Sequence, residues 1–164
     1  MQDQPSIRTT SVRTLIDRIQ ETLEVVIGTA QAFPHGFEHH KPDEVAFSAT
    51  EIIYHLADVD KLWQSRIMQL TTIGPSEFQR FDPDKTAKDR NYNVQPFRQG
   101  IEEFRAARGK TIEMLSALDD AQLKIRGSHP KFGSIAVPDI IEIIANHDLG
   151  HAAQFGRTEA KIVR

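Results

Sequence analysis

The sequence predicts an all-α fold: a four-helix bundle running up-down-down-up, with a long crossover between its second and third helices. Three observations carry that prediction. Four segments repeat apolar residues at a period near 3.6, and none sustains the two-residue alternation of a half-buried strand. Roughly 25 residues separate the second segment from the third, against the usual 2–8 of a helical hairpin. Finally, three histidines on two of the segments fall at one depth only if those two helices are antiparallel. The 164 residues suit a single domain, residues 1–164, and contain no internal repeat.

The first helix spans about Ser11 to Gln31, with Val12, Leu15, Ile16, Ile19, Leu23, Val26 and Ile27 on one stripe. Pro34, Gly36 and Pro42 break the chain after it. A second helix opens at Ser48, where Ser48-Ala49-Thr50-Glu51 reads as a capping box, and runs through Ile52, Leu56, Val59, Trp63 and Ile67 to about Leu70. The connection that follows, with Gly74, Pro75 and Pro83, is long enough to travel the length of the bundle, so the next helix can run parallel to the second. That third helix starts after Pro96 and repeats Phe97, Ile101, Phe104, Thr111, Leu115 and Leu118. Gly127 to Ser134 reads as a tight turn or a very small hairpin. The last helix begins at Pro138, a residue favoured in the first turn, and reaches about Gly156 through Ile140, Ile144, His147 and His151.

Composition narrows the function. The absence of cysteine excludes disulfides, thiolate metal ligands and a cysteine nucleophile together. A net charge of −3 leaves no basic footprint for nucleic acid. No apolar run is long enough to span a membrane, and the first ten residues, MQDQPSIRTT, lack the apolar core of a signal peptide. The expectation is a soluble, cytoplasmic protein with neither nucleic-acid nor membrane partners.

Seven histidines stand out. His35, His39 and His40 fall in the proline- and glycine-broken segment, and His129 in the later turn; these read as solvated. His147 and His151 differ, because four residues apart on a well-signalled helix they project side by side on its apolar stripe. They are either satisfied core histidines or a pair of metal ligands. His55 adds a third. It lies about seven residues into the second helix, while His147 and His151 lie about nine and five residues from the end of theirs. In antiparallel helices all three sit roughly 10 Å inside one end of the bundle. Three imidazoles with an open fourth position form the ligand set of a catalytic type of metal site.

Two polar residues fall nearby. Arg108, in the seam between Phe104 and Thr111, and Asp58, one turn beyond His55, stand roughly 15–18 Å into parallel helices. They are expected to form an ion pair behind the ligands that orients an imidazole; otherwise Arg108 reaches solvent and Asp58 is on the surface. Glu51, one turn before His55, and Asp58 are the candidate proton acceptors.

The stretch from Phe47 to Asp58, FSATEIIYHLAD, resembles the second helix of the DinB-like superfamily, which includes YfiT-like proteins. Ile144 to Gln154, IANHDLGHAAQ, is similar to its last-helix motif. Phe81-Asp82-Pro83-Asp84, Arg105-Ala106-Ala107-Arg108 and Gly127 to Gly133 also match segments of one branch, so the resemblance covers about Val45 to Arg157. Phe47 stands where tryptophan is common, and Gly150 precedes the second histidine of the pair. The resemblance implies an up-down-down-up bundle, often a homodimer. It also implies one divalent ion per chain, nickel or zinc, on the positions matching His55, His147 and His151.

Two functions follow. One is a metal-dependent enzyme acting on a small molecule, by transfer of a low-molecular-weight thiol cosubstrate or by hydrolysis. The other is a non-catalytic metal-binding or stress-associated bundle acting through protein partners. A metalloprotease is disfavoured: His147-Asp148-Leu149-Gly150-His151 has aspartate where H-E-x-x-H has its glutamate base, and no histidine follows His151.

Overall fold

Each long helix begins where a side chain or a proline can serve its first turn. In the computed structural model, which describes residues 11–163, the helices are α1 (Val12–Gln31), α2 (Ala49–Thr72), α3 (Pro83–Asp89), α4 (Phe97–Ser116) and α5 (Val137–Ile162). The Ser11 hydroxyl accepts from the Thr14 N–H at 3.2 Å. The Ser48 box is complete: Ser48 Oγ accepts from Glu51 N at 3.1 Å, and Glu51 Oε2 accepts from Ser48 N at 2.9 Å. At α5, Pro138 lies in the first turn and Asp139 Oδ2 accepts from Ala136 N at 2.8 Å.

Directions follow from which ends meet. Early α1 (Leu15, Ile19) packs in one apolar cluster with early α5 (Val137, Ile140, Ile141), while Phe33, just past α1, meets Phe155 late in α5. These two helices are parallel. In α2 and α4, Tyr54 donates to Pro96 O at 3.0 Å and Gln64 donates to Thr111 Oγ1 at 3.0 Å, so they too are parallel. His55, early in α2, meets His147 of α5 at 3.2 Å, and Leu70, late in α2, shares a cluster with Val137. That pair is antiparallel, and the bundle runs up-down-down-up. The parallel α2–α4 pair approaches closely at Gly100, where a Cβ would meet Ile53 Cγ2 at 2.7 Å and Tyr54 Cε2 at 2.8 Å.

Two features refine the expected bundle. The crossover carries α3, which Asp82 caps by accepting from Lys85 N at 3.0 Å. The segment before α5 is a true hairpin, β1 (Arg126–His129) and β2 (Gly133–Ala136), paired antiparallel from Arg126↔Ala136 to His129↔Gly133, with Gly133 at φ 70° in its turn. The crossover is tied to β1 by Phe78 N donating to Ser128 O at 2.9 Å and Ser128 N donating to Ser76 O at 2.8 Å. Apart from this two-stranded hairpin the described elements are helical, and the expected four-helix bundle stands. Helix α5 also continues past Gly156 to Ile162, because that glycine keeps helical backbone on an open face. Among the described residues no helix is long and apolar enough to cross a membrane. The signal-peptide reading of residues 1–10 lies outside the described residues.

The core divides into two apolar clusters, one around Phe104, Ile52 and Phe155 and one around Ile140, Ile67 and Leu115. Arg108 joins the helices by its bonds to α1, α2 and α5, and is among the largest fully buried side chains.

Candidate metal centre

Antiparallel α2 and α5 bring the three expected histidines together. His147 Nε2 lies 3.2 Å from His55 Nε2 and 3.0 Å from His151 Nε2, and one ligand atom from each of the three falls within 4.8 Å of the others. His55 is buried; the other two are half-buried. Burial holds all three imidazoles below their usual range, His55 to about 3 and His147 to about 2, with neighbouring imidazoles adding to the effect on these two. His151 is also lowered by burial, against the opposing effects of its hydrogen bond to Gln154 Oε1 and of the Asp148 carboxylate. The rings are thus neutral at pH 7, as ligands must be.

The donor set fits a divalent ion. Nitrogens bound tetrahedrally at 2.0–2.1 Å stand about 3.4 Å apart, against 3.2 Å for His55–His147 and 3.0 Å for His147–His151. His151 is oriented by Gln154, whose Oε1 lies 2.7 Å from its Nδ1. His55 Nδ1 is buried with no hydrogen-bond partner, and its ring is held by packing: Phe47 edge-on at 5.6 Å and Phe81 stacked at 6.3 Å between centroids.

The expected Arg108–Asp58 pair does not form. Arg108, 1% exposed, donates through Nε to Asp60 Oδ2 at 2.9 Å. Its two Nη atoms grip Asp148 at 2.8 and 3.0 Å, and Nη1 also donates to the Ile19 carbonyl at 2.8 Å. The reason is helical phase. Two residues rotate the side chain by about 200°, so Asp60 shares the inward face with Trp63 and Ile67 while Asp58 points elsewhere. Asp58 instead accepts from Arg90 and the Tyr92 hydroxyl, with Lys61 Nζ at 3.4 Å. Burial first, and then the bond to Asp58, push the Tyr92 hydroxyl up. Asp60 is pushed up by burial despite Arg108 and Thr111. Because Asp148 follows His147 on α5, one helical turn serves both the histidines and this buried network. Glu51 closes the α2 cap and meets Lys41 Nζ at 3.2 Å.

His129 was expected to be solvated, and it is not: it is half-buried, stacked on Trp63 at 5.6 Å and 25°, because the hairpin folds back over α2. Its sequence neighbourhood gives no sign of this, since the contact depends on the crossover pairing with β1. His35, His39 and His40 are exposed.

The three histidines line one end of a cavity of about 750 Å³. Its walls include Phe47, Val59, Trp63, Phe81 and Phe132, and its far end holds Arg66 and His129. Neither Asp58 nor Glu51 reaches it; the carboxylate on its wall is Asp84.

Three comparisons bear on this arrangement. The family model of the DinB superfamily matches residues 13–155. A structure of YfiT from Bacillus subtilis, described as a probable metal-dependent hydrolase with an unusual four-helix bundle topology, superposes with a TM-score of 0.77 at 14% identity, covering 96% of this chain and 92% of that one. An uncharacterized protein from Clostridium difficile 630 gives 0.74 at 15% identity, covering 94% and 98%. At these identities the likeness is one of fold. No protein of curated function matches the sequence.

Proposed function

The chain belongs to the DinB superfamily, and we propose that it is a metal-dependent hydrolase of a small molecule, with His55, His147 and His151 holding one divalent ion, nickel or zinc. The observation that carries this reading is the convergence of three neutral imidazoles on the wall of a 750 Å³ cavity, with no fourth side chain in the group among the described residues. A structural zinc site is usually closed by a fourth protein ligand, whereas a three-ligand site leaves a position for a reactant. The description of YfiT as a probable metal-dependent hydrolase supports the choice of reaction by analogy of fold.

When bound, such an ion supplies Lewis acidity and lowers the pKa of a water in the open position. The chain's own residues hold the geometry. Gln154 fixes the His151 ring. The Asp58 carboxylate favours charge on His55 from one turn away, strengthening it as a donor, and Glu51 sets the start of α2 and hence the height of His55. Arg108, through Asp60 and Asp148, locks α2 to α5 so that the imidazoles keep their separation. Asp58, Glu51 and Arg108 are therefore positioning residues in this proposal.

The test is turnover of an ester and amide panel by metal-loaded and chelator-stripped protein, with and without a low-molecular-weight thiol. Hydrolysis that requires the metal and ignores the thiol supports the proposal. Turnover that requires the thiol assigns the site to thiol transfer instead. No metal-dependent turnover in either condition overturns the enzymatic reading in favour of a non-catalytic metal-binding bundle. A homodimer, implied by the family resemblance, is proposed alongside; light scattering reporting a monomer across micromolar concentrations would remove it.

A further inference from the structure

Arg66 lies about three turns beyond His55 on the same face of α2, at the far end of the cavity. It is 6% exposed, yet among the described residues no carboxylate forms an ion pair with it. Its hydrogen-bond acceptor is the Gln79 carbonyl at 2.8 Å; Nη1 also stands 3.2 Å from His129 Nε2, and the guanidinium lies 4.7 Å above the Trp63 ring and 5.4 Å from that of Phe78. The contrast within the molecule is direct: Arg108, also buried, has two carboxylates. A buried cation without an anion is unfavourable unless a ligand supplies one.

His129 points the same way. Its Nδ1 accepts from Lys131 N at 3.0 Å and Phe132 N at 3.3 Å. The proton of the neutral ring therefore sits on Nε2, which faces Arg66 Nη1, itself a donor. Two donors face each other, and an acceptor is what completes them. Burial, Arg66 and Lys131 all favour the neutral ring. The other charged side chains on the cavity wall are Arg80, Lys131 and Asp84, leaving cations in excess. The apolar walls include Val59 and Trp63 on α2, Phe81 stacked on His55 at 6.3 Å, and Phe132 at 4.7 Å from His129 between ring centroids.

We infer that the cavity takes an elongated amphipathic anion, its carboxylate or phosphate seated on Arg66 and His129 and its apolar body lying along Trp63 and Val59. Resting on the metal-enzyme reading above, the bond to be cut is then the one presented to the three histidines at the opposite end.

Trp63 is the only tryptophan and lines the cavity, so its emission reports occupancy. Octanoate, octyl phosphate and the neutral octanamide are titrated into the full chain, metal-loaded and chelator-stripped. At least one anion is expected to bind about tenfold or more tightly than the amide in both metal states, as a charge-assisted pair with a buried arginine requires, and which one does so assigns the headgroup. Arg66→Met is expected to bring anion and amide within about twofold. Arg66→Lys, which keeps the charge and the stem and so guards against a misfolded Met variant, is expected to lose at least about threefold of the preference with the fork. Equal binding of anions and amide by the unaltered chain, or a preference that survives in both Arg66 variants, overturns the inference. A preference that vanishes on stripping the metal also overturns it, because the anion then binds the ion, and leaves the metal reading intact. A preference shown by protein that never retains a metal upholds the anion site while sinking the metal-enzyme reading.

Discussion

Replacing Arg108 with methionine keeps most of its volume and removes the cation paired with two buried carboxylates. Asp60 and Asp148 are each about 1% exposed in their side chains, and Arg108 bonds them at 2.9 and 2.8 Å. Removing one partner of a buried ion pair leaves uncompensated charge and destabilises by about 3–5 kcal/mol. For a chain of this size each kcal/mol lowers Tm by about 2–4 °C, so Arg108→Met is expected to melt roughly 6–20 °C lower. Urea unfolding of metal-free protein at pH 7 measures the loss, with an unchanged m-value as evidence that the denatured state is unaltered. The sign of its pH dependence is fixed. Burial raises Asp60 above its unfolded value, so the folded state holds that proton more tightly and stability falls as pH rises through the folded pKa. With Arg108 gone this effect grows, and the deficit of the variant should narrow as pH is lowered towards about 5. A loss under about 1 kcal/mol at pH 7, or a deficit that widens in mild acid, would refute the reasoning. Asp58→Asn, which leaves the Arg108 network intact, is the control and should cost less.

Gly100→Ala places a methyl 2.7 Å from Ile53 Cγ2 and 2.8 Å from Tyr54 Cε2, and is expected to destabilise by about 1–3 kcal/mol in the same urea assay. Ser48→Ala removes the α2 cap and should lose about 0.5–2 kcal/mol, read by thermal melting. Metal-free protein should lose stability as pH falls from 6.5 towards the depressed values of His55 and His147, about 3 and about 2, because the unfolded chain takes up protons that the folded one excludes; denaturant midpoints across that window check it.

Much of the bundle was legible because its signals are local. The Ser48 box, Pro138 and the apolar stripes fix where helices begin and which face is buried. The direction of α4 is readable only through the length of the crossover, and the common depth of His55, His147 and His151 points independently to antiparallel α2 and α5. What escaped depends on contacts distant in sequence. Arg108 reads from its seam position as a buried partner, but depth alone points to Asp58, whereas helical phase puts Asp60 on the inward face; Asp148, between two ligands, reads only as part of a motif. His129 became a cavity residue through the pairing of Ser128 with Ser76 and Phe78, and α3 through a seven-residue stretch with little apolar repeat. Arg66 looks like any surface cation of an amphipathic helix until the hairpin covers it.

The central claim is that one divalent ion sits on His55, His147 and His151. Elemental analysis of the full chain, loaded with nickel or zinc and dialysed, tests it directly beside the His151→Ala and His129→Ala variants. The expected result is about one ion per chain in the unaltered and His129→Ala proteins and a small fraction of that in His151→Ala. Full occupancy in His151→Ala, or none in the unaltered chain, would contradict it.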